Sequence, residues 1–147
     1  MNLRTLQPGE DLDQAARLFD AYRQFYGQPS DLTAVRTWLN MRLAAGQSVV
    51  MLAEEAGRAV GFMQLYPTFC SVALAPIWVL YDLYVAPEAR GLGVADALLQ
   101  AAARHGREHG AAYLQLSTAH DNAVAQAVYR RNGWQHDEVF RTYTLAL

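Results

Sequence analysis

The stretch VLYDLYVAPEARGLGVADALLQ, from Val79 to Gln100, constrains the fold more than any other part of the chain. An apolar run from Trp78 to Val85 holds one carboxylate, Asp82, and Pro87 ends it. Its near-continuous apolar order predicts a strand buried on both faces. Arg90-Gly91-Leu92-Gly93-Val94-Ala95 then opens a helical pattern. Leu92, Ala95, Leu98, Leu99 and Ala102 fall on one side; Asp96, Gln100, Arg104 and Glu108 fall on the other. A strand feeding a helix through glycines predicts a helix-flanked sheet and an anion held at the turn.

Three phosphate-binding patterns compete for that turn. A nucleoside triphosphate loop needs Gly-Lys followed by Ser or Thr, and neither group is present. A dinucleotide fingerprint needs a third glycine where Asp96 stands, and its carboxylate would repel a pyrophosphate. The third pattern, R-x-x-G-x-A, is met by Arg90, Gly93 and Ala95. Small residues let a ligand approach the backbone. First-turn amides have no helical partner and can donate to an anion. A plain strand-to-helix connection uses glycine in the same way, so the turn alone leaves both uses open.

The rest of the chain supplies the frame. Asn2 to Gln7 alternates as a short strand, and Leu12, Ala15, Ala16, Phe19, Tyr22 and Tyr26 recur at helical spacing. Ser30 or Asp31 can cap a second helix carrying Leu32, Val35, Leu39 and Leu43. SVVMLAEEAGRAVGFMQLY reads as a hairpin turning at Glu55-Ala56-Gly57. Pro67 and Pro76 bracket an expected loop, Thr68 to Ala75. Ala112 to Thr118 reads as a strand, DNAVAQAVYRRNGW as a short helix capped by Asp121 or Asn122, and Val139 to Leu147 as a final strand.

The chain has 147 residues, 52% hydrophobic and 18% charged, which predicts one packed domain spanning 1–147. No apolar run approaches the roughly 18 residues of a membrane span, and the N-terminus lacks a secretory pattern. A net charge of −2 offers nucleic acid no general attraction. Cys70 is the only cysteine, so no internal disulfide can form, and a cytoplasmic location is expected. His105 and His109 stand four apart but lack a third ligand, so no metal is expected and solvated surface is the default.

A second motif follows the strand at 112–118: Asn122-x-x-Ala125-x-x-x-Tyr129-x-x-x-Gly133-Trp134. With Arg90, Gly93 and Ala95 before it, the chain resembles the GNAT superfamily of N-acetyltransferases, most strongly over residues 78–134. The resemblance implies an α/β (α+β) fold: a mixed, mostly antiparallel seven-stranded sheet with about four flanking helices and two splayed central parallel strands. It implies acetyl-CoA between Trp78–Val85 and Ala112–Thr118. The amides of Gly91, Leu92, Gly93, Val94 and Ala95 would hold the pyrophosphate beside Arg90. The backbone of Leu83 and Val85 would pair with the pantetheine arm, and an amide near Leu83 or Tyr84 would polarise the thioester carbonyl. Asn122 would contact the cofactor from the other wall, and Ala125 is implied as a further cofactor-binding residue.

The resemblance implies that Tyr129 donates a proton to the departing thiolate; core packing beside Ala125 is its other use. Asp82 could take a proton from the acceptor ammonium, or could pair with an arginine such as Arg42. Tyr81 stands beside it where some amine acetyltransferases of the family carry Glu-Asp. Tyr22, Phe25 and Tyr26 could line an acceptor site on the first helix, since aromatic faces attract ammonium ions; packing against the sheet is the better use of Tyr22. AYRQFYG and the segment from Gln64 to Val85 look like the branch that includes spermidine/spermine acetyltransferases. The first-choice acceptor is a small amine or amino acid, because no acidic cluster awaits a polycation. A lysine or N-terminal protein acceptor, or a CoA-binding module without transfer, are the alternatives. A homodimer is also implied.

Overall fold

A computed structural model describes residues 1–147 and carries ten elements in order. These are β1 (Asn2–Thr5), α1 (Asp13–Phe25), α2 (Leu32–Ala44), β2 (Val49–Glu55), β3 (Arg58–Cys70), β4 (Ala75–Val85), a 3-10 turn (Pro87–Ala89), α3 (Val94–Glu108), β5 (Leu114–Gln115) and α4 (Ala123–Arg131). They divide into two compact units, Met1–Ser117 and Thr118–Leu147.

In the first unit the sheet runs β1-β2-β3-β4-β5. The first three pairings are antiparallel, and β4 with β5 is parallel. The β2–β3 turn falls where its residues predict it. Ala56 and Gly57 both take positive φ, 48° and 78°, the geometry that a tight two-residue hairpin needs.

Alternation along the strands splits the core between two faces. Val50, Leu52 and Phe62 pack with Ala15, Ala16 and Phe19 of α1 and with Val35, Leu39 and Leu43 of α2. On the other face α3 presses closely on β3. A Cβ added at Gly61 would come 2.8 Å from Val94 Cγ1 and 3.3 Å from the Tyr84 carbonyl oxygen. Buried Val94, Leu98, Leu99 and Ala102 form the inner side of α3. Leu92, expected on that side, lies in the preceding turn and is exposed.

Asp20 joins α1 to the start of α2. Its carboxylate accepts from Ser30 Oγ at 2.6 Å, the Asp31 amide at 2.8 Å and Gln24 Nε2 at 3.0 Å. Burial opposes its charge, but those donors and Arg23 hold its pKa below the usual value. Asp31 caps α2 by accepting from the Ala34 amide at 3.0 Å.

Three strand expectations are corrected in this unit. The sheet has five strands rather than seven. The expected loop Thr68 to Ala75 is mostly strand: β3 and β4 stay paired through Phe69↔Pro76 and Cys70↔Ala75, leaving Ser71–Leu74 as the turn. Pro67 and Pro76 sit within strands, where a missing N–H is harmless if it points away from the ladder. The strand expected over Ala112–Thr118 shortens to Leu114–Gln115.

The second unit contains α4 and the residues around it. Asn122 is the N-cap, accepting from the Ala125 amide at 3.1 Å. Gly133, at φ 87°, ends the helix, and the Trp134 amide returns to the Tyr129 carbonyl at 3.1 Å. The expected strand Val139–Leu147 does not form. Its alternation permits a strand, but a strand exists only where a neighbouring edge completes its ladder.

Candidate functional site

The glycine turn lies between β4 and α3. Gly91 and Gly93 have φ 76° and 79°, a region that other residues adopt only with strain. A Cβ at either position would meet nothing within 4 Å, so the turn faces open space. Gly93 is the N-cap of α3 and supplies no side-chain cap. The first-turn amides lack helical acceptors, and Gly93 offers them no side chain. Such a turn fits a phosphate group. Arg90 folds back, its Nε donating to the Val85 carbonyl at 3.1 Å, with the guanidinium 5.8 Å from the Tyr84 ring.

β4 opens towards the same end. β5 pairs with it only at Trp78↔Leu114 and Val79↔Gln115. The Ala86 amide donates to Val60 at 2.8 Å, so alternation sends the backbone groups of Tyr84 towards β3 and those of Leu83 and Val85 the other way. β5 is too short to meet them. An extended ligand arm could pair along that edge as a strand would.

A bulge adds to the opening. Gln64 pairs with Asp82 and Leu65 with Leu80, which leaves Tyr81 as an extra residue on β4. Bulges bend a strand and re-aim its side chains. Tyr81 is exposed, whereas Asp82 is only 4% exposed. Asp82 Oδ2 accepts from Gln64 Nε2 at 2.8 Å. The Tyr22 hydroxyl bonds the same carboxylate and lies 3.2 Å from the Tyr81 carbonyl. Burial pushes the Asp82 carboxyl up to about 6, and the bonds from Gln64 and Tyr22 only partly oppose that rise. Gln64 Oε1, also buried, has no partner.

Aromatic side chains surround this carboxylate. Tyr22 packs edge-on against Phe62 and Tyr84, at centroid distances of 6.0 and 6.5 Å. It thus packs α1 on the sheet, as expected, and also reaches Asp82. Tyr26 meets Tyr22 at 5.0 Å and Phe25 at 5.2 Å; Phe25 and Tyr26 form the exposed end of that row. On the other side Tyr66 faces Tyr81 at 5.6 Å and accepts from Trp38 Nε1 at 3.1 Å.

Sequence reasoning singled out Asp82 but missed Gln64, Tyr66 and Trp38. Gln64 is a polar residue within an apolar hairpin strand, and that anomaly was its one available signal. The Arg42–Asp82 pair, the alternative to a functional Asp82, is absent; Arg42 instead lies 4.6 Å over the Trp38 ring. On α4, Tyr129 is half-buried, 6.3 Å from Trp134. The two histidines are not simply solvated: they stack at 4.0 Å, and His105 packs against Trp78 at 4.4 Å. No group of three potential metal ligands exists, and no helix is long and apolar enough to cross a membrane.

Comparison with known proteins adds to this geometry. Residues 13–134 match the acetyltransferase (GNAT) family. An uncharacterized N-acetyltransferase of Bacillus subtilis is 43% identical over 145 residues, covering 99% of this chain and 97% of that protein. A mycothiol acetyltransferase of Saccharomonospora viridis is 34% identical over 148 residues, covering 92% of this chain but 46% of the relative. The crystal structure of a probable acetyltransferase superposes with a TM-score of 0.93 at 44% identity, covering 100% of this chain and 98% of the other.

Proposed function

Because the chain belongs to the GNAT acetyltransferase family, we propose that it transfers acetyl from acetyl-CoA directly to the primary amine of a small molecule. The observation that carries the reading is Asp82: a buried carboxylate at a bulge, raised to about 6, on the strand that leads into the glycine turn. The likeness to a mycothiol acetyltransferase supports a small acceptor. The matched span, 13–134, takes in residues of both compact units.

Acetyl-CoA supplies an activated thioester. The amides from Gly91 to Ala95 hold its pyrophosphate, and Arg90 braces the turn through Val85. Leu83 and Val85 pair with the pantetheine arm, and the Leu83 amide polarises the reacting carbonyl. The family motif assigns Asn122 and Ala125 to cofactor binding.

Phe25 and Tyr26 receive the acceptor, and Asp82 takes its proton. At 4% exposure the carboxylate is reached through a water or through the Tyr22 hydroxyl. While Asp82 is ionised, Tyr22 donates to it. Once protonated, Asp82 can donate to Tyr22 while Tyr22 donates to the Tyr81 carbonyl. The neutral amine nitrogen bonds the acetyl carbon and the carbon–sulfur bond breaks as Tyr129 gives the leaving thiolate its proton; the nitrogen then sheds its surplus proton to water, and the Tyr129 phenolate takes one back from water. A phenol suits that task because its pKa, about 10, lies not far above a thiol's.

The test is thiol release from acetyl-CoA across small amines, amino acids, polyamines and lysine peptides, with the acetylated product identified by mass. The reading predicts release with one small-amine class and a kcat lower by about 10²- to 10⁴-fold in Tyr129→Phe, a typical range for loss of a general acid. Saturable acetyl-CoA binding without release for any amine would sink it.

A further inference from the structure

Arg42 is a cation without a counterion. No ion pair of the chain includes it, and its Nε is shielded from solvent with no hydrogen-bond partner. Its guanidinium is held instead against the Trp38 ring, at 4.6 Å. Asp82, the acid it might have paired with, takes Gln64 and Tyr22. A shielded N–H donor is costly to leave without an acceptor, while the rest of this half-buried guanidinium stays open to one. Stacking on an indole fixes the plane of a guanidinium and presents its N–H fork.

Arg42 and Asp82 belong to one seam on the sheet face that α1 and α2 cover. Phe62, Gln64 and Tyr66 alternate along β3 on that face. The Tyr66 hydroxyl accepts from Trp38 Nε1, and both charges act on it. Burial raises the pKa of that hydroxyl; the Trp38 bond opposes the rise, Asp82 adds to it and Arg42 reduces it. The tyrosine thus feels a cation and an anion that do not pair with each other. Among Trp38, Arg42, Gln64, Tyr66, Tyr81 and Asp82 there is one acid and one base. A polycation would find a single carboxylate and a repelling guanidinium.

We infer that the acceptor amine also carries a carboxylate, and that Arg42 binds that carboxylate while the amine lies at Asp82. The acceptor class is therefore an amino acid rather than a polyamine. The inference rests on the transferase reading above. Arg42 is a specificity residue here, and the carboxylate completes the guanidinium through charge-assisted, bidentate hydrogen bonds.

The test compares amino acids, both α and ω, with their carboxamides and with diamines. One arm measures thiol release. The other titrates the same compounds calorimetrically into protein saturated with CoA, where no turnover occurs. Wild-type protein is expected to favour the acid over its carboxamide by about 10- to 100-fold in kcat/KM, the effect of one charged hydrogen-bonded contact. Arg42→Gln brings that ratio towards one through KM rather than kcat, and Arg42→Lys falls between. Arg36→Gln, which removes an exposed arginine of the same helix paired with Asp13, leaves the ratio unchanged.

A wild-type preference for carboxamides or diamines overturns the inference. So does an Arg42→Gln variant that loses acid and carboxamide alike. If no amine releases thiol, the transferase reading falls, and the calorimetric arm still decides on Arg42: no binding of any amino acid to the CoA-saturated protein overturns it.

Discussion

Asp82 shows how far a single residue can be read without coordinates. A carboxylate in an apolar strand has to be paired or used, and that much is visible in sequence. Which partner it takes depends on register, and the bulge at Tyr81 sets the register opposite Gln64. Nothing local in the sequence marks that bulge, so Gln64 and the Tyr22 hydroxyl stayed hidden and Arg42 was a reasonable but mistaken candidate. The same burial has a stability consequence. The carboxyl is raised in the folded protein from an ordinary 3.8 to about 6. The folded state therefore binds its proton more tightly than the unfolded state does. Stability from this group is fully present below about pH 4 and is lost as pH rises towards 6. Asp82→Asn removes that dependence. Its unfolding free energy, measured by denaturant titration, should gain on wild type between pH 4 and 6 and stay ahead above that, by an amount of order 3 kcal/mol at 1.36 kcal/mol per unit.

At the scale of elements, legibility followed periodicity. The four helices and the β2–β3 hairpin were readable because their apolar spacing and glycine positions are local signals. The strand at 112–118 and the one at 139–147 were not, because alternation says only that a segment could pair. Packing between elements carries a prediction of its own. Gly61 lets α3 sit directly on β3, and the nearest atom to an added Cβ would be Cγ1 of the β-branched Val94, which has little freedom to turn aside. Gly61→Ala should cost about 1 to 3 kcal/mol, as overpacking does. Val94 is the first residue of α3, so the strain falls beside the glycine turn. Thermal unfolding together with acetyl-CoA titration checks both effects, and the variant should show a lower Tm and a higher KM for acetyl-CoA. A variant with unchanged Tm and KM would show that α3 can move away freely.

For the molecule as a whole, the family was readable from two motifs at their spacing, Arg90/Gly93/Ala95 and Asn122/Tyr129/Gly133, and the match over residues 13–134 bears it out. The division into two compact units was not readable, since no change in composition marks Ser117–Thr118. A ligand that binds only the folded state stabilises it by mass action. Acetyl-CoA at a hundred times its Kd should add about 2.7 kcal/mol, a rise in Tm of roughly 5 to 10 °C for a chain of this size. Differential scanning fluorimetry with acetyl-CoA, and with a nucleotide lacking the pantetheine arm as control, measures it.

The central claim is that Asp82 takes the acceptor's proton during acetyl transfer. The pH dependence of kcat/KM, in wild type and Asp82→Asn with one acceptor, tests it most directly, because the amine's own titration is common to both. Wild type should show a limb rising with an apparent pKa near 6, and Asp82→Asn should lose that limb with activity lower by about 10²- to 10⁴-fold. Two profiles of the same shape and height would contradict it.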